Sequence, residues 1–251
     1  MKYCYLYLLT FFLLTACTEQ ERTTVVASSS WTAAYIRAAG ISEVDILAPS
    51  DMQHPSEYEL NIDDIKKLRN TDLIVCGGYE IMMEKIRTGL NIDSGKIVQI
   101  KTDYNLEHIR SSIRTIAAKM GTENIATKHI EEIERVFNAS KERIRQAGID
   151  QHPVLVQFFI QPIARELDLD VADIFGPRPL EVFDIRDLMN QNFSLILDNA
   201  HNPVSAPLVE TRPGIKVVYL INFPGKDGTE SLADVIQYNV DRILEAAGDD
   251  N

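Results

Sequence analysis

What this 251-residue chain lacks narrows it first. It has three cysteines, Cys4, Cys17 and Cys76, with no C-x-x-C pair. Lys and Arg number 25 against 37 Asp and Glu, for a net charge of −12. That shortage of cations excludes a general nucleic-acid binder, whose partner's phosphates demand them in excess. No G-x-S-x-G, H-E-x-x-H or Walker-type loop is present, so no enzyme motif stands out and the chain reads as a non-enzyme. Twelve Gly and ten Pro are too few for a collagen or a low-complexity chain. Long hydrophobic runs are also missing beyond the first 16 residues, which excludes a multi-spanning membrane protein.

What is present begins with an address. Residues 1–16 carry one cation, Lys2, no acid, and an apolar run from Tyr5 to Leu14. This is short for a membrane span and has the layout of a secretory signal. Its end, Leu14-Thr15-Ala16-Cys17, resembles the bacterial lipobox. The resemblance implies removal of 1–16, lipidation of Cys17 and an extracytoplasmic position on a bacterial membrane. Cys4 then leaves with the signal. Cys76 remains within the apolar run from Leu73 as a buried inert thiol, and no intrachain disulfide is possible.

The remainder alternates strand-like apolar runs with helical patterns, which implies βαβ units and mostly parallel sheets. Residues 17–23 form a tether and 24–105 a first α/β lobe. Residues 106–148 are a helical segment, with a long charged helix over Glu123–Ala147, and 149–251 a second α/β lobe. Strands are expected at Val44–Ala48 and Val154–Gln157, and helices at Phe159–Glu166 and His201–Glu210, among others. The expected fold is therefore two small α/β lobes joined by a long rigid helix, with a ligand cleft between them.

Two segments carry a family resemblance. Ala48–Gly78, APSDMQHPSEYELNIDDIKKLRNTDLIVCGG, is similar to a pattern of D-P-H-x-Y-E, then S-D-I-K-K-L, then A-D-L-V-V-x-x-G. The segment opening at Val217 with VVYLINFPGKDG and running to Tyr238-Asn239 is similar to V-V-x-L-D-P-L-G-G followed by a helix carrying Y-N-L-D. In this order around a long charged helix, they resemble the solute-binding lipoproteins of zinc- and manganese-type ABC importers. That family implies two α/β lobes on a rigid helix, a transported Zn or Mn ion, and an ABC permease with its ATPase as partners.

The family's metal site uses three histidines and a carboxylate, donors that suit these ions. Ungapped alignment from each segment puts Ser56 at the first histidine, whereas a two-residue shift makes His54 the ligand. The second position falls near Lys101, the third on Gln157, and the carboxylate position on Asn222. The resemblance thus implies a cleft built around Ser56, Lys101, Gln157 and Asn222, with the usual dication donors replaced. His54 and His201 are the imidazoles left to serve a metal, with Asp198 a possible co-ligand to His201. A helix N-cap cluster is the plainer reading of Asp198 to Pro203. The substituted site also admits a non-metal small ligand or metal chelate, or a surface lipoprotein with a vestigial cleft. His108, His129 and His152 read as surface groups, and Trp31 and Phe158-Phe159 as core.

Overall fold

The computed structural model describes residues 23–49, 52 and 54–248. The signal, Cys17 and most of the tether lie outside the described residues. The first half contains β1 (Val25–Ala27), α1 (Ser30–Ala38), β2 (Asp45–Ile46), α2 (Ile62–Asn70), β3 (Leu73–Cys76), α3 (Ile81–Gly89) and β4 (Ile97–Gln99). Two long helices follow, α4 (Leu106–Met120) and α5 (Glu123–Gln146). The second half contains β5 (Val154–Gln157), α6 (Gln161–Glu166), β6 (Val171–Phe175), α7 (Val182–Met189), β7 (Leu195–Asn199), α8 (Ala206–Thr211), β8 (Lys216–Leu220) and α9 (Leu232–Gly248).

The strands form two four-stranded sheets of identical order, β2-β1-β3-β4 and β6-β5-β7-β8, with every pairing parallel. This is the α/β architecture of two lobes expected from the alternating pattern. Each sheet is buried on both faces, as parallel sheets are, so the strands read as unbroken apolar runs such as Leu73–Cys76. One face of each sheet joins a single apolar core that includes Ala27, Ile36, Ile113, Phe137, Val156 and Val240. That core therefore runs through both lobes and under α4, α5 and α9. The outer faces close on smaller clusters, around Leu68 and Met82 in one lobe and Leu188 and Leu208 in the other.

Several local signals act as their chemistry dictates. Asn61 caps α2, its side chain accepting from the N–H groups of Asp63 and Asp64 while the Asp64 carboxylate accepts from Asn61. Gly121 ends α4 in the left-handed conformation that costs glycine least. Two expected elements start late. The helix expected over Phe159–Glu166 begins at Gln161, with Pro162 in its first turn, and Phe158 and Phe159 are exposed at 48% and 43% instead of packing in the core. The helix expected over His201–Glu210 begins at Ala206, because Asp198 draws the chain through a tighter loop first. The strand expected over Val44–Ala48 shrinks to Asp45–Ile46, a sheet edge paired on one side.

Candidate ligand cleft

In open parallel sheets, ligands bind beyond the carboxyl ends of the strands, where the strand order reverses. Both sheets present that edge to the same space. It is a cleft of about 1110 Å³, and the connection after each of the eight strands lines it. Ser29 and Trp31 follow β1, His54 to Glu57 follow β2, Tyr79 follows β3 and Lys101 to Asp103 follow β4. From the second lobe, Phe159 follows β5, Pro177 and Arg178 follow β6, Asn199 ends β7 and His201 follows it, and Asn222 and Phe223 follow β8.

The loops are held from behind by buried polar groups. In the first lobe Glu80, almost fully buried, accepts from the Ser28 hydroxyl and from the backbone N–H groups of Gly77 (2.8 Å) and Gly78 (2.7 Å). This fixes the turn that presents Tyr79, half-exposed to the cleft. Gly78 sits at φ +89°, and a Cβ there would lie 2.1 Å from the Gln99 amide nitrogen. The second lobe repeats the device with Asp198. One of its oxygens accepts from the N–H groups of Val204 and Ser205 and the other from Asn199. Both Asp198 oxygens are thus engaged inside the fold at 0% exposure, so Asp198 shapes the loop and is not a co-ligand in the cleft. Asn239, buried on α9, clamps Ile221 through both its amide atoms and so positions Asn222 and Phe223.

His201 and Asn222, 21 residues apart, meet here. The imidazole Nδ1 lies 2.7 Å from the Asn222 side-chain oxygen, and the ring stacks on Phe223 at 3.7 Å and 19°. An amide oxygen only accepts, so the ring proton sits on Nδ1 and Nε2 is left as an acceptor. Burial, reinforced by the nearby Lys226 charge, pushes the imidazole down to about 4, against a smaller opposite effect of the Asn222 hydrogen bond. The ring is neutral at physiological pH.

Across the cleft, the β4 loop is pinned by Ser112, which bonds both the N–H and the carbonyl of Lys101, and by the Tyr35 hydroxyl on the Asp103 carbonyl. His108, expected to be a surface residue, bridges Asp103 and Lys101 with Nδ1 at 2.7 Å from the carboxylate and Nε2 at 3.2 Å from the ammonium. The other Asp103 oxygen accepts from Asn105. His54 stands exposed on the cleft rim and Ser56 is half-buried beside it on a single 3-10 turn.

The cleft brings Ser56, Lys101, Asn222, His54 and His201 together. It does not include Gln157, which is fully buried behind the wall, its amide oxygen accepting from Phe159 and its amide nitrogen unpartnered. Gln157 ends a central strand and its side chain turns back on its own loop, which strand periodicity alone does not reveal. Among the described residues no three His, Cys, Asp or Glu side chains gather as a metal-holding group. Cys76 is fully buried, and burial pushes its thiol up to about 11. Trp31 packs in the core as expected, but sequence reasoning missed that it also forms an aromatic wall of the cleft with Phe159 and Phe223. The signal for it was two phenylalanines placed directly after a strand end, where a loop and not the core was due.

No protein family model and no curated protein sequence matches the chain. Solved structures do. A Mn-bound periplasmic metal binding protein from Candidatus Liberibacter asiaticus is 18% identical, with a TM-score of 0.66 over 90% of this chain and 100% of that one. Its Cd-bound form is 17% identical at the same TM-score and coverage. The solute-binding protein FpvC from P. aeruginosa, in complex with Ni²⁺, is 15% identical, with a TM-score of 0.67 over 92% and 98%. At these identities the likeness shows the fold.

Proposed function

We propose that this chain is an extracytoplasmic solute-binding protein, anchored through Cys17, that captures a small ligand between its lobes and delivers it to an ABC permease and its ATPase. The observation that carries this reading is the convergence of all eight strand ends on one cleft of about 1110 Å³. A concave site of that size, with the aromatic rings of Trp31, Tyr79, Phe159 and Phe223 set among convergent polar side chains, is of the kind that holds a small molecule. The lipobox-like Leu14 to Cys17 and the periplasmic proteins that share the fold support the location.

The similar structures were solved with Mn, Cd and Ni, so a transported dication is one cargo the cleft invites, with Zn and Mn to try first. His54 and His201 would then be the imidazole donors. The test uses the full-length chain purified in detergent and examined by native mass spectrometry. Expected is a bound small molecule or ion on the wild type that is lost in Ser56→Trp, which places an indole on the half-buried turn lining the cleft. A protein that carries no ligand, takes none up from a periplasmic extract and crosslinks to no permease refutes the proposal.

A further inference from the structure

We propose that the cleft selects a small oxygen-rich organic anion, carboxylate- or phosphate-bearing, in preference to a bare divalent cation, with Lys101 as the residue that takes its charge. This rests on the solute-binding reading above and names the class of ligand. A dication demands several anionic or imidazole donors converging on one point. Among the described residues, the carboxylates that line the cleft are Glu57, exposed on the rim, and Asp103, whose two oxygens already serve His108 and Asn105. His54 and His201 stand without a third partner among the described residues.

The cations point the other way. Arg178 is already committed, its guanidinium within 2.9 Å of Asp184 and 3.3 Å of Glu181. Lys101 has no carboxylate within ion-pairing distance among the described residues, and its ammonium contacts only the acceptor nitrogen of His108. An ammonium has three donors, so two remain for a ligand. The Asp103–His108 pair holds the ammonium by its neighbour without neutralising it directly, which keeps a positioned charge open to the cleft.

The remaining groups favour an organic molecule of mixed polarity. The Tyr79 hydroxyl accepts from Thr102 and has its own proton to give. The neutral His201 offers an acceptor for a ligand hydroxyl, and Phe223 and Trp31, with ring centroids 6.0 Å apart, form an apolar floor. A hydroxy-carboxylate satisfies a cation, a donor and an acceptor at once. The cleft is many times larger than one ion requires.

The test titrates the full-length chain, stripped by chelator and dialysis, with citrate, inorganic phosphate, Zn²⁺ alone and Mn²⁺ alone, following the unfolding midpoint and heat of binding. Expected is a saturable upward shift with citrate or phosphate, the two arms separating a carboxylate from a phosphate ligand, and a larger one than either metal gives. Lys101→Met weakens that binding about tenfold to a hundredfold, as loss of a hydrogen bond to a charged group does. Lys101→Arg retains most of it, and Lys66→Met, an exposed residue on α2, changes nothing. A shift with Zn²⁺ or Mn²⁺ and none with either anion overturns the inference while leaving solute binding in place. Anion binding indifferent to Lys101→Met overturns it as well. A cleft that takes neither anion nor metal overturns the inference, and the native mass spectrum decides separately whether solute binding survives.

Discussion

His201 shows how one side chain can carry the character of a site. Its ring is wedged on Phe223, its Nδ1 proton is given to Asn222, and burial keeps it uncharged down to about pH 4. This has a consequence for stability. Above pH 6.5 the imidazole is neutral in the folded and unfolded chain alike, and nothing is lost. Between 6.5 and about 4 the unfolded chain binds a proton that the folded one refuses, so stability falls as pH falls through that window. The expected loss from this group is about 3 kcal/mol, and urea unfolding from pH 7 to 4 will show a flatter profile in His201→Gln than in wild type. Equal slopes in the two proteins would disprove the buried neutral state. The sequence shows that His201 and Asn222 exist and that each follows a strand, but their pairing depends on β7 and β8 being neighbours, a non-local fact.

At the scale of elements, two short acidic devices shape the cleft. Glu80 and Asp198 each sit at a strand's carboxyl end and gather three hydrogen bonds from the loop that follows or adjoins it. They are interior carboxylates acting as turn staples; for Asp198 this agrees with the plainer reading of the sequence, a cap-like cluster before a helix, and not with co-ligation to His201. Glu80→Gln replaces an acceptor oxygen with an amide donor facing N–H groups. The expected cost is about 1–3 kcal/mol of stability, read as a lower urea midpoint with unchanged m-value. A midpoint equal to wild type would show that water satisfies the Gly77-Gly78 turn instead. The helices and strands themselves were legible, since caps such as Asn61 and Gly121 and the apolar periodicity are local properties. The ends that were misplaced, at Phe159 and His201, are those where a staple or an exposed aromatic wall overrides propensity.

The whole molecule is held by contacts that cross between lobes. The Ser30 hydroxyl donates to the Pro224 carbonyl at 2.7 Å, the Leu106 N–H reaches Glu166, and Trp31 packs between Tyr104 and Phe223. With these goes one apolar core shared by both sheets and by α4, α5 and α9. Exposing that core at one lobe exposes it at the other, so the protein is expected to unfold in a single calorimetric transition whose calorimetric and van't Hoff enthalpies agree. Two resolved transitions would mean that the lobes fold separately. Taken alone, the sequence determined the alternation of strand and helix, the long central helices, the buried Cys76 and the candidate loops, because periodicity, capping and turn chemistry act over a few residues. It could not determine which of those loops meet. The tertiary structure decided that Gln157 turns inward while Ser56, Lys101, His201 and Asn222 share one cleft, because that outcome depends on sheet order and on packing between segments more than a hundred residues apart.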